Sequence, residues 1–327
     1  MTEDMPDFKS LLHTFGALGF IYEMTMRVEP EYAVVKCIYE DLSWDFMRDK
    51  QSYWDLLESH QFTSFFTDWK QPTMTSIWLG KKVPMSEVPK NWEQLSMHDV
   101  CEPTFHGAKL VERIHPVPGR DSSPCVTSGI GLWRNKIYHF LPDKPPSSAG
   151  DEIQTELFVD IEDFPFVAEK IYRLAPLFTD FIQITELRPV AKDDIPMSPT
   201  KARDSMGIHW TWKHDFDNLL MPIFQIQQIM KAYDYRPHYG KFFHPVFESD
   251  FTKANGLAQD HADLVARINA FPNNPFVNCF VERYLFNKLD CSMESKFQAY
   301  YTAHWERQTS LKDMPYPLTL PGVRDLN

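Results

Sequence analysis

Between Glu152 and Phe243 the apolar residues switch repeatedly between strand-like alternation and helical spacing, and this pattern restricts the fold more than any other feature of the chain. EIQTELFVD (152–160) alternates as a strand. Phe164, Val167, Ala168, Ile171 and Leu174 then follow helical spacing, with Asp160 or Asp163 placed to cap the helix. FIQITELRPV and SMGIHWTW read as two more strands, and Phe216, Leu219, Leu220, Ile223 and Met230 as a second amphipathic helix opened by Asp215 or Asp217. Pro222 is tolerable in that helix only near its first turn. RPHYGKFF closes the unit as a fourth strand.

The order β-α-β-β-α-β predicts an α+β fold of the split βαβ kind: a large antiparallel sheet with both helices on one face. The other face is left free to form a pocket. Along a strand, side chains alternate faces, so Glu186 and Arg188 share one face, as do His209 and Thr211. Ile184, Leu187, Trp210 and Trp212 supply apolar surroundings. In the usual strand order the second and third strands pair and the fourth lies beyond the first. Lys241 then falls roughly 10 Å from His209, at ~4.8 Å per strand, with Gln154 or Glu156 between them. A general base, two cations and a hydroxyl on one face could orient and deprotonate an alcohol. Glu186 with Arg188 alone reads more simply as a buried ion pair.

ITELRPV (184–190), GIHWTW (207–212) and RPHYGK (236–241) together resemble the substrate-side motifs of the FAD-dependent alditol (xylitol) oxidases. These are cousins of the D-arabinono-1,4-lactone oxidases in the vanillyl-alcohol oxidase class. The resemblance implies that Glu186, Arg188, His209, Thr211 and Lys241 line a polyol pocket. Arg188 and Lys241 would be the cations beside the reacting hydroxyl, and Glu186 would hold Arg188 and the substrate. His209 would be either a general base or a partner of distal hydroxyls, which Thr211 would also contact. GALGF (16–20) is similar to the segment that ends the family's FAD-binding domain, so Gly16, Gly19, Phe20 and Ile21 are the implied cofactor contacts, at the entry to a strand.

The likeness runs over about residues 13–285. The family's dinucleotide-cradling loop and its flavin-bonding His have no matching position, and no GxGxxG or GxxxxGK replaces them. The implied division is a remnant end of the FAD-binding domain (1–30), a substrate-binding cap domain (31–270), a segment returning toward the FAD domain (271–286) and a tail (287–327). In the returning segment the family's Gly-Lys is replaced by Asn274-Pro275. The expected function is an oxidase acting on the CH–OH group of a sugar alcohol such as xylitol or sorbitol, with O2 as acceptor. Its FAD would come mainly from a domain absent from this sequence, and its partners would be a small polyol or sugar lactone and a separate FAD-binding domain. A D-arabinono-1,4-lactone oxidase and a catalytically silent cap-domain binding protein are the alternatives.

The remaining sequence sets limits. A net charge of −12 argues against a phosphate-tracking nucleic-acid binder, and no run of 18 apolar residues offers a transmembrane helix. Five scattered cysteines without a CxxC pair predict free thiols, no metal site and a cytoplasmic protein, and the N-terminus has no secretory pattern. His98 and His106 lack a third ligand at metal spacing, and Asp204, Ser205 and His209 lack a nucleophile elbow. YAVVKCIYEDL (32–42), FTSFFTDW (62–69) and TSIWLGKKV (75–83) read as strands, with a helix from Ser43 to about His60. Prolines break residues 84–146 into what reads as a weakly structured wrap beside the pocket. Leu257, His261, Leu264 and Ile268 mark one further helix, and Tyr300, Tyr301 and Trp305 a surface-covering tail. His238 shares a face with Arg236 and reads equally as structural or functional.

Overall fold

The computed structural model describes residues 2–5, 7–117, 126–137, 152–244, 256–286 and 288. In chain order its strands are β1 Tyr32–Glu40, β2 Leu42–Ser43, β3 Phe62–Thr67, β4 Thr73–Met74, β5 Ser76–Pro84, β6 Thr104–Phe105, β7 Ala108–Val111, β8 Gly129–Leu132, β9 Glu152–Asp160, β10 Ile182–Val190, β11 Ser205–Lys213 and β12 Arg236–Pro237. Its helices are α1 Lys50–Ser59, α2 Trp133–Lys136, α3 Phe164–Leu174, α4 Phe216–Lys231, α5 Ala258–Asn269 and α6 Cys279–Tyr284. The chain divides into two units, Met1–Phe276 and Val277–Asn327. In the second, α6 is capped by the Asn278 side chain, which accepts from the Val281 N–H.

Ten strands of the first unit form one sheet in the order β12-β9-β11-β10-β3-β5-β1-β7-β6, with β8 also paired to β1. Every pairing within it is antiparallel. The α+β expectation therefore holds, and the second and third strands of the split βαβ unit pair while the fourth lies beyond the first. The sheet is larger than that unit, because β3 joins β10 and brings β5, β1 and β7 with it.

Alternation along β11 decides what each face carries. Met206, Ile208, Trp210 and Trp212 pack into the main core with Phe164, Val167 and Ile171 of α3 and Leu219, Ile223 and Met230 of α4. Two buried indoles find partners inside this core, Trp212 Nε1 donating to Thr155 Oγ1 at 2.9 Å and Trp69 Nε1 to Thr185 Oγ1 at 2.8 Å, whereas Trp210 Nε1 has none among the described residues. Gly207, His209 and Thr211 consequently belong to the opposite face. There a smaller apolar group of Ile38, Phe66, Trp78, Val126 and Ile184 is covered by Val111, Ile114 and Val117.

Several expectations need correction. The helix expected from Ser43 to about His60 is broken at Asp49, whose φ −83°, ψ 90° separates a 3-10 turn at Trp44–Arg48 from α1. Each piece has its own cap, Ser43 accepting from Asp45 N and Asp49 from Ser52 N. Pro222 lies inside α4, at its seventh residue, rather than near the first turn. Burial of Leu219, Leu220, Ile223, Ile226 and Met230 outweighs the missing backbone bond there. The stretch 84–146 is less irregular than its prolines suggest, since β6, β7 and β8 lie within it. Residues 20–31 form no strand, because no backbone among the described residues pairs with them. RPHYGKFF pairs as a strand only at Arg236–Pro237. Tyr300, Tyr301 and Trp305 lie outside the described residues, as do Cys125 and Cys291.

The three described cysteines are not free thiols. The topology sets Cys37 of β1 beside Cys101, Cα to Cα 5.7 Å, and the pair forms a disulfide; Cys279 is disulfide-bonded as well. A sequence separation of 64 residues hides such a pair from motif reading. The free-thiol argument for a cytoplasmic protein therefore loses its basis at these positions. No helix among the described residues is long and apolar enough to cross a membrane. Closing so long a loop should stabilise the fold by ~2–4 kcal/mol, so reduction or Cys101→Ser should lower the melting temperature by several degrees. Peptide mapping without reductant should recover the Cys37–Cys101 cross-link, whereas alkylation of both thiols in the unreduced native protein would contradict the pairing.

Candidate functional site

On the face away from α3 and α4 lies a cavity of about 1050 Å3, at the upper end of the ~300–1,000 Å3 usual for small-molecule sites. Glu186, Arg188, His209, Thr211 and Lys241 all line it. Glu186 and His209 are direct cross-strand partners in the β10–β11 register, and Arg188 follows two residues along on the same face. Glu186 Oε1 accepts from Ser64 Oγ of β3 at 2.8 Å, while Glu186 Oε2 lies 3.7 Å from Arg188 Nε and 3.9 Å from His209 Nδ1. Burial pushes the Glu186 carboxyl up. The His209 ring, the Arg188 guanidinium and the Ser64 hydroxyl outweigh that and hold it below the ordinary glutamate value.

Lys241 reaches the group through a residue that the sequence offered only as a spacer. Glu156 of β9 pairs with His209 in register and is 4% exposed. Its Oε1 accepts from Arg188 Nη2 at 2.8 Å, and its Oε2 accepts from Lys241 Nζ. Burial opposes its charge, but Arg188 and Lys241 together keep the carboxyl below its usual range. The available signal was alternation, since Thr155 and Leu157 are buried while Gln154 and Glu156 line the cavity. Ser64 was also missed; it alternates with Phe65 in FTSFFT, and a lone serine in an apolar strand carries little weight by itself.

The chain after β12 explains how Lys241 enters the cavity. His238 N donates to Glu156 O at 2.9 Å, a turn then closes with Lys241 N donating to His238 O at 3.1 Å, and pairing resumes from Phe242 N to Gln154 O at 2.9 Å. Within this turn Gly240 N donates to His238 Nδ1 at 3.1 Å, which places any ring proton of a neutral His238 on Nε2. Burial lowers the pKa of that ring, against the raising charge of Glu156. His238 thus shapes the turn and also lines the cavity.

In the cavity wall His209 Nε2 is buried and unpaired among the described residues, as is Thr63 Oγ1. Pro116, Val117 and Lys136 complete the far side, so part of the proline-rich stretch does lie beside the cavity. Gly16 and Gly19 are in a turn with φ of 72° and 141°, and a Cβ at either would meet nothing within 4 Å. Phe20 and Ile21 that follow are each 75% exposed. This turn sits near the cavity wall, because Phe15 packs edge-on against Tyr239 at 4.9 Å. Asn274 Nδ2 donates to Ala17 O at 2.8 Å.

No family model matches the chain. It is 26% identical over 239 residues to an alditol oxidase from Streptomyces sp. (strain IKD472 / FERM P-14339). That match supports a relationship to alditol oxidases. It covers 72% of this chain and 53% of the relative, so the chain spans about half the length of the curated relative it matches.

The depressed Glu186 carboxyl links stability to pH. The unfolded chain takes up its proton near the ordinary value of 4.5, whereas the folded chain holds it off to lower pH. The contribution is therefore present above 4.5 and lost as pH falls through the folded value. Thermal melts should show Glu186→Gln less stable than wild type above pH 4.5, with the gap narrowing steadily in acid. A gap that stays constant with pH would mean that Glu186 is not held ionised by its neighbours.

Proposed function

We propose that this chain is the substrate-binding part of an FAD-linked oxidase that oxidises the CH–OH group of a sugar alcohol such as xylitol or sorbitol, with O2 as acceptor. The observation that carries the reading is the convergence of Glu186, Arg188, His209, Thr211 and Lys241 on one cavity. A polyol presents a row of hydroxyls, each a donor and an acceptor, and this wall offers carboxylate, guanidinium, imidazole and hydroxyl from β10 and β11 and an ammonium from the turn after β12. The relationship to an alditol oxidase supports the same substrate class.

In this reading His209 holds the proton of the reacting hydroxyl. Its Nδ1 faces the Glu186 carboxylate, which favours a proton on that nitrogen and leaves Nε2, buried and unpaired, as acceptor. Arg188 and Lys241 lower the cost of alkoxide character on the oxygen, and Thr211 and Glu186 hold the neighbouring hydroxyls. When bound, FAD would supply the hydride acceptor for this chemistry. The open turn at Gly16 and Gly19 and the exposed Phe20 and Ile21 fit contact with a planar ring. They supply no cradle for a pyrophosphate, so retention of FAD is assigned to a separate FAD-binding part. Residues 1–30 would end that part, 31–270 would form the cap and 271–286 would return to it. The return is supported by Asn274 reaching Ala17 O and by Phe276 lying 6.4 Å from Phe20. A silent cap-domain binding protein is the second reading, favoured by that same lack of a phosphate cradle.

Two measurements separate these readings. The purified chain mixed with FAD should give only the spectrum of free flavin; a stable yellow protein would overturn the division of labour. With the FAD-binding part of the Streptomyces relative supplied in fusion, xylitol should yield peroxide. Lys241→Met should then cut turnover by ~100-fold, the scale of losing one preorganised charge. Peroxide production unchanged within a few-fold would remove Lys241 from the chemistry, and none from any polyol would favour the silent reading.

A further inference from the structure

Glu156 lies at the centre of the site, and the fold is shaped around its carboxylate. A Cβ at Gly207, on the neighbouring strand, would come within 3.2 Å of Glu156 Oε1 and 3.0 Å of the Phe158 ring, so glycine at 207 leaves the room this carboxylate uses. One carboxylate oxygen takes Arg188 and the other takes Lys241. This is the arrangement a ligand carboxylate would adopt on the same two cations, already filled by a tethered group. Arg188 has Glu186 along its other edge, 3.7 Å away. Two carboxylates thus balance two cations at this end of the cavity. The cavity's other lysines, Lys36 and Lys136, donate to backbone carbonyls, and Lys36 belongs to β1, three strands beyond β10 in the sheet.

We propose that Glu156 sets the charge of the ligand this pocket accepts: by occupying Arg188 and Lys241 together it reserves the site for uncharged polyols and excludes their carboxylate-bearing counterparts, the aldonates. Side chains of Arg188 and Lys241 remain 39% and 17% exposed, so each can still donate to a neutral hydroxyl while ion-paired. An aldonate carboxylate has to displace Glu156 or be buried beside it, and both routes cost far more than seating a hydroxyl. Glu156→Gln keeps the shape and one acceptor but removes the charge, which leaves Lys241 uncompensated and open to an anion. The identity of the neutral occupant rests on the polyol reading above; the role of the charge does not.

The test is equilibrium binding of xylitol and of xylonate to the purified chain, followed by ligand-observed NMR, for wild type, Glu156→Gln and Lys241→Met. Wild type should prefer xylitol. Glu156→Gln, with its fold checked by circular dichroism, should bind xylonate at least ~10-fold more tightly than wild type does, an effect that weakens with added salt, so that the preference shifts from xylitol toward xylonate. Lys241→Met, which leaves Glu156 in excess, should weaken xylonate binding below the wild-type level. A folded Glu156→Gln without the gain in xylonate binding overturns the proposal. If that variant does not fold, Lys241→Met decides: xylonate binding equal to or tighter than wild type overturns it, and weaker binding supports it. If wild type binds no xylitol and Glu156→Gln still gains xylonate, the charge role stands and the polyol reading falls.

Discussion

The alternation of side chains along β11 is the constraint on which the rest of this structure depends. Trp210 and Trp212 are fully buried against α3 and α4, and a slip of one residue would drive both indoles out of that layer and His209 and Thr211 into it. The core therefore fixes which way the polar side chains of the neighbouring strands point. Thr155 and Thr185, which satisfy buried indole N–H groups, lock the same choice on β9 and β10. Glu156, Glu186 and Arg188 follow on the opposite face.

Placing four charges on a largely covered sheet face is costly unless each has a partner. Here the carboxylates and cations form a chain from Ser64 through Glu186, Arg188 and Glu156 to Lys241. Such a network contributes little net stability against a well-packed apolar alternative. What it does supply is position: each long cationic side chain is held by a carboxylate whose own strand is fixed by the core. Beside this network the His209 Nε2 is buried and unpaired among the described residues. An acceptor left open on a cavity wall is available to a ligand hydroxyl.

Much of this was legible because it depends on period. The split βαβ order, the strand neighbours and the shared face of Glu186 with Arg188 and of His209 with Thr211 all follow from alternation and helical spacing. What stayed hidden depends on tertiary approach. Glu156 could be placed between His209 and Lys241, but its double pairing required knowing that the turn after Pro237 delivers Lys241 back over β9. The Cys37–Cys101 bond joins residues brought together by the sheet and not by any motif. Helix interruptions at Asp49 and tolerance of Pro222 were misjudged because local capping and burial of a long apolar stripe outweigh simple propensity. GALGF was expected to enter a strand, yet a strand needs a neighbouring backbone to pair with.

The central claim is that the face opposite the helix layer is a polyol site built from Glu186, Arg188, His209, Thr211 and Lys241. A crystal structure of the purified chain soaked in xylitol tests it most directly. The account predicts the polyol lying along β9, β11 and β10 in the cavity, with one hydroxyl within hydrogen-bond distance of His209 Nε2 and another near Lys241 Nζ. A cavity left empty at saturating xylitol, or His209 and Glu186 found turned into the layer of α3 and α4, would contradict it.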